Sequence, residues 1–175
     1  MPTQLRIAIL VPPHDHPEDW QTGYARKQQA LTAAGLAVEQ RLWTDPGDLS
    51  GFDLVTTLFA WGYQRDVPRW YALLDRLERE ALPVVNPVPL MRWNSDKAYL
   101  ADLAAKGVAV VPTRFVEALD AASFAGACAA LGSADIVIKP AISAGADGTH
   151  RLHAGDPLPP DALGQRRLVQ PMMPG

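Results

Sequence analysis

The chain has 175 residues and a mass of 19.0 kDa, 48% hydrophobic and 20% charged, enough to bury a sizeable core in one domain or two small ones. A net charge of −3 with no basic stripe excludes a nucleic-acid binder, and the apolar fraction excludes disorder. No apolar run is long enough to cross about 30 Å of hydrocarbon, and the single cysteine, Cys128, excludes an intramolecular disulfide and fits a reducing cytoplasm.

In chain order, residues 6–11 form a continuous apolar run followed by Pro12-Pro13-His14. That is a strand buried on both faces, not a secretion signal, because no small-residue cleavage site follows. Gln21–Ala34 has helical spacing through Tyr24, Ala30, Leu31 and Ala34 and stops at Gly35. Ala37–Trp43 alternates as a strand, and Asp53–Leu58 is a short apolar strand. Pro68–Leu82 is an amphipathic helix with Asp75, Arg76, Glu78, Arg79 and Glu80 facing solvent, and Val84-Val85 is a short strand closed by Asn86-Pro87. This order implies a small open parallel sheet with helices on both faces.

A boundary near 87–94 introduces a second segment. Asp96–Lys106 reads as a helix capped by Ser95 or Asn94 and ending at Gly107. Val108–Val111 and Arg114–Val116 flank Pro112-Thr113, and Ala121–Leu131 is a small-residue helix in which Cys128 packs. Asp135–Lys139, His150–His153 and Arg167–Gln170 complete the strands.

The strongest local signal is the lysine that ends a buried strand, Val137-Ile138-Lys139-Pro140, followed by the small-residue loop Ala141–Thr149. Such a loop lets backbone N–H groups approach an anion, and the lysine at the sheet rim adds a cation. A surface turn with a solvated lysine has the same composition. A second lysine, Lys97 in Asn94-Ser95-Asp96-Lys97, is expected in the first turn of its helix, where a cation opposes the dipole unless it reaches an anion. Neither a P-loop nor a Gly-x-Gly-x-x-Gly dinucleotide signature is present.

Other constellations have bland readings. His14-Asp15-His16 lacks a third ligand and reads as a solvated turn; His150 and His153 fall on opposite sides of a strand. Ala141-Ile142-Ser143-Ala144-Gly145 mimics a nucleophile elbow, but no helix follows it. Of the five tryptophans, Trp61 and Trp93 are expected at strand ends where a ligand can stack.

Four pieces in register carry a resemblance: Asn94-Ser95-Asp96-Lys97, Gly107-Val108 with Val111-Pro112-Thr113, Val137-Ile138-Lys139-Pro140 with its Ser/Gly loop, and Val169-Gln170-Pro171-Met172. Together they resemble the ATP-grasp superfamily, in particular its glutathione-synthetase-like and RimK-like ligases and the cycloserine-biosynthesis group. Trp61-Gly62-Tyr63 is similar to the Trp-x-Tyr of that group, with Gly62 where the group has Asp. The resemblance implies an α/β fold: a Rossmann-like pre-ATP-grasp domain over 1–90, then the smaller α+β ATP-grasp subdomain over 91–175.

It also implies roles. Lys97 and Lys139 are similar to the two lysines on the ATP phosphates, and Ser143–Thr149, with Ser143, Gly145 and Gly148, to the flexible loop closing over them. Gln170, with Pro171, Met172 and Met173, is similar to the adenine hinge, and Trp61 and Tyr63 fall on the substrate side. The implied partners are ATP with Mg2+, a small carboxylate and an amine or thiol, joined through an acyl phosphate; a homodimer is compatible with this. In the family the ribose-binding acid, the basic residue at the acyl phosphate and the Mg2+ ligands follow the hinge. The chain is therefore expected to be truncated there, to lack the C-terminal catalytic subdomain and to be inactive by itself. The alternative is a noncatalytic module that holds a small ligand or a partner protein.

Overall fold

A strand whose every inward position is apolar must be covered on both faces, and β1 (Arg6–Val11) is so covered. Ala8 and Leu10 point into one cluster; Ile7, Ile9 and Val11 point into the other. In the computed structural model, which describes residues 4–173, β1 is central to a four-stranded sheet of order β2-β1-β3-β4, all parallel, with β2 (Ala37–Leu42), β3 (Leu54–Thr56) and β4 (Val84–Val85). Residues 1–3 and 174–175, which the expected ranges 1–90 and 91–175 include, lie outside the described residues.

α2 (Val67–Arg79) covers one face with Trp70, Leu73, Leu74 and Leu77. Those four side chains, each contributing about 1.5–3 kcal/mol when fully buried, are what holds the helix to the sheet. Asp66 caps its start by accepting from Arg69 N, and Pro68 stands in the first turn. α1 (Gln21–Ala33) covers the other face less fully: Tyr24 is buried, whereas Ala30 and Ala34, expected on the inner face, are exposed. Trp20 and Phe59 from the flanking loops fill that side instead.

The chain divides into two units between Arg92 and Trp93, a division that falls within α3 (Val88–Ser95). The helix expected over Asp96–Lys106 is shorter, α4 (Tyr99–Ala105), and follows a turn at Asp96-Lys97-Ala98. Asp96 makes that turn by accepting from Ala98 N and from Arg166 Nη1, competing with the helix for its own backbone. Lys97 therefore stands in a break between helices, not in a first helical turn. Trp93 is likewise on a helix and not at a strand end; its indole donates to Asp102 and its ring lies on Tyr99.

The second unit is an antiparallel sheet of order β5-β8-β6-β7, with β5 (Arg114–Val116), β6 (Asp135–Pro140), β7 (His150–His153) and β8 (Arg167–Pro171). Val108–Val111 forms no strand. Alternation along β6 sends Ile136 and Ile138 into a core with Phe124, Ala127 and Cys128 of α5 (Ala121–Leu131). It sends Val137 and Lys139 to the opposite face. Among the described residues no helix is long and apolar enough to cross a membrane.

Candidate functional site

The face of the second sheet away from α5 is built by register. Val137 lies opposite Arg151 of β7 and Gln170 of β8, and Lys139, two residues on, lies opposite Leu168. Lys139 Nζ donates to Gln170 Oε1 at 2.9 Å, and Gln170 Nε2 donates to Thr113 Oγ1 at 2.7 Å. Gln170 is only 5% exposed, so its amide is a strut that fixes the lysine. A buried amide left without either partner is costly, which is why both ends are bonded.

Lys97 approaches the same face from the turn between α3 and α4. Its backbone N–H donates to Ala141 O at 2.8 Å, and its ammonium donates to Ser143 O and Ser143 Oγ, both at 2.7 Å. The lysine thereby pins the start of the loop Ala141–Thr149. Burial first, and then the like charge of Lys139, pull the Lys97 pKa below its ordinary value of 10.5, with Asp96 opposing. Two cations held close without a counter-charge between them describe a place prepared for an anion.

The loop turns back on itself through Asp147 N–H to Ala144 O and Thr149 N–H to Ala146 O, each 3.0 Å. Its end is fixed from below. Arg167, buried at the start of β8, donates from Nη1 to Gly148 O at 3.3 Å and from Nη2 to the Asp161 carbonyl. Gly148 has φ +65, and a Cβ there would meet Pro140 Cγ at 2.9 Å and Arg167 Nη1 at 3.3 Å. No other residue fits that position without displacing the loop.

Between these parts lies a cavity of about 460 Å³ lined by Lys97, Lys139, Arg151, Ser143, Thr149 and Met172, together with Val137 and the small residues 144–146. No carboxylate lines it. Of the residues singled out in the sequence, Lys97, Lys139, Ser143, Gly145 and Met172 converge here. Gln170 stands behind Lys139, Gly148 lies against Pro140 and Arg167, and Met173 is 55% exposed outside the lining. Arg151 was not singled out, and Val137 and Thr149 were named only as the ends of the strand-and-loop motif. Period-2 alternation back from Lys139 and forward from the loop's end was the signal for Val137 and Arg151.

Trp61 and Tyr63 belong to the first unit. The Trp61 ring lies 5.6 Å from Phe59 and 6.2 Å from His16, and its carbonyl accepts from Trp43 Nε1. Tyr63 packs on Trp70 at 5.0 Å, towards the α2 cluster. Between them Gly62 has φ +84, and a Cβ there would come within 3.3 Å of the His16 ring. The imidazole occupies the space that a side chain at position 62 would enter.

The donors at the cavity are cations and hydroxyls, which suit an anion and do not fit a bare Mg2+ ion. Among the described residues no three His, Cys, Asp or Glu side chains are grouped so as to hold a metal.

Comparison with known proteins shows what the fold is similar to. The fold matches a RimK domain ATP-grasp protein from Sphaerobacter thermophilus (TM-score 0.61, 20% identity, 97% of this chain and 64% of that one). It also matches D-alanyl-alanine synthetase A from Vibrio cholerae (TM-score 0.67, 16% identity, 98% and 60%). The fold of the chain is similar to that of the N-terminal portion of ATP-grasp ligases.

Within that class the particular likeness is to D-cycloserine synthetase DcsG. Residues 7–86 match the family model of the DcsG N-terminal domain. The cycloserine biosynthesis protein DcsG of Streptomyces lavendulae is 36% identical over 89 residues, covering 50% of this chain and 29% of that protein. The crystal structure of D-cycloserine synthetase DcsG superposes with TM-score 0.79 at 27% identity over 95% of this chain and 59% of that one. The chain thus spans well under two thirds of the length of these relatives.

Proposed function

We propose that this chain forms the ATP-gripping part of an ATP-dependent ligase that activates a small carboxylate as an acyl phosphate for attack by an amine or thiol. The observation that carries this reading is the convergence of Lys97, Lys139 and the Ser143–Thr149 loop, from two separate stretches of sequence, on one cavity without a carboxylate. The likeness to ATP-grasp ligases supports the reaction class.

In this reading the two ammonium groups and the loop N–H groups meet the phosphates and stabilise negative charge on the transferring group. Mg2+ would screen phosphate charge when bound with the nucleotide, and none of the residues lining this cavity would hold it. Gln170 serves by holding Lys139, while Met172 and Met173 offer apolar surface to the adenine. Trp61 and Tyr63 contribute to the carboxylate-binding side. The enzyme is a cytoplasmic one acting on small molecules.

Half-exposed cation–phosphate pairs contribute about 0–1 kcal/mol each, so the 175-residue chain by itself binds ATP with a Kd on the order of millimolar. It turns over none. Calorimetric titration with ATP and Mg2+, beside a phosphate-release assay, tests both statements, with Lys139→Ala as the control that removes binding. ATP affinity unaffected by Lys139→Ala would contradict the reading, and so would steady phosphate release from the 175-residue chain.

A further inference from the structure

We infer that Arg151 is a third phosphate-binding residue of this cavity and sets its preference for a chain of three phosphates. The inference rests on the reading of the cavity as a nucleotide-phosphate site and adds a residue and a charge requirement to it. The register of the sheet places Arg151 directly opposite Val137, on the same face as Lys139, and its side chain lines the cavity.

Its situation differs from that of the other two cations. Lys139 is tied to Gln170 and Lys97 to Ser143, whereas Arg151 makes no hydrogen bond or ion pair with any described residue and is exposed. Two other arginines of this unit are engaged: Arg166 with Asp96 and Glu117, Arg167 with Gly148 and Asp161. In a chain whose net charge is −3, three cations line one cavity and no acid lines it with them. An arginine left free at such a rim can swing its planar fork onto a phosphate and bind it through two parallel N–H groups, which a lysine cannot do. Orthophosphate satisfies the two anchored lysines. A chain of three phosphates reaches the third cation as well.

The test is titration of the 175-residue chain with inorganic orthophosphate, pyrophosphate and tripolyphosphate, followed by backbone amide shifts in NMR, which register millimolar affinities. For the wild-type chain the affinity should rise with phosphate number. Arg151→Ala should weaken tripolyphosphate about fivefold and orthophosphate by under about twofold, flattening that order. Arg151→Lys should recover part of the loss, and Arg151→Glu should exceed it. Because Arg151 is exposed and unbonded, none of these variants should unfold.

If Lys139→Ala weakens tripolyphosphate but Arg151→Ala does not, the role of Arg151 is overturned and the reading of the cavity stands. If neither substitution has an effect, or the wild-type chain shows no shifts around the cavity, both are overturned.

Discussion

Replacing Gly148 by alanine tests whether the loop over the cavity is held as described. The backbone there has φ +65, and an L residue forced into that region costs roughly 1–2 kcal/mol. The added Cβ would stand 2.9 Å from Pro140 Cγ and 3.3 Å from Arg167 Nη1. Neither neighbour is a free end. The proline ring is fixed in β6, and Arg167 is buried with its guanidinium already bonded to Gly148 O and Asp161 O. Relieving the contact therefore moves the strand end or breaks the arginine's hold on the loop, which adds about 1–3 kcal/mol.

The expected loss is about 2–5 kcal/mol, confined to the second unit. Gly126→Ala is the matched control: it lies inside α5, nothing approaches its Cβ within 4 Å, and the substitution should gain about 0.5–1 kcal/mol. Amide hydrogen exchange of β6 and β8 reads the second unit directly. A Gly148→Ala chain as stable as the wild type, or stabilised like Gly126→Ala, would refute the reasoning.

Gln170→Leu removes the acceptor of Lys139 and the donor to Thr113, one bond to a charged group and one between neutral groups, and should cost about 2–4 kcal/mol by the same exchange measurement. A change under about 0.5 kcal/mol would mean that the strut is not formed. Lys97 gives a pH prediction. Its folded pKa lies below the ordinary value, so the charged ammonium costs stability at every pH below the folded value, and the cost is relieved as pH rises past it. A bound anion raises that pKa again, so binding takes up protons and weakens with rising alkaline pH. Calorimetric enthalpies in buffers of different ionisation heat should reveal that uptake, and Lys97→Met should abolish it; uptake unchanged in Lys97→Met would refute the assignment to this lysine.

Much of the fold was legible because it rests on burial periodicity. The apolar run of β1, the Ala121–Leu131 helix and the Val84-Val85 strand are present with those bounds, and β1 and β3 are parallel neighbours, with β6 in a different sheet. The failures have local causes. Asp96 hydrogen-bonds its own backbone and Arg166, which breaks the helix expected there and moves Lys97 into a turn. Ala30 and Ala34 have helical spacing but too little surface to demand burial, so α1 is anchored through Tyr24. At the cavity, Lys139 and its loop were visible as a strand-end lysine before small residues. The partner of Lys139 was not, because Gln170 follows it by 31 positions and only sheet register brings the two together. Arg151 carried only the alternation forward from Thr149, and its place opposite Val137 is again set by register.

The central claim is that Lys97, Lys139 and the Ser143–Thr149 loop form one nucleotide-phosphate site. Mapping backbone amide shifts of the 175-residue chain during titration with ATP and Mg2+ tests it most directly. The account predicts saturable shifts on the order of millimolar that centre on Lys97, Lys139 and residues 143–149, and that disappear in Lys139→Ala. Shifts centred in the first unit, or a pattern unchanged in Lys139→Ala, would contradict it.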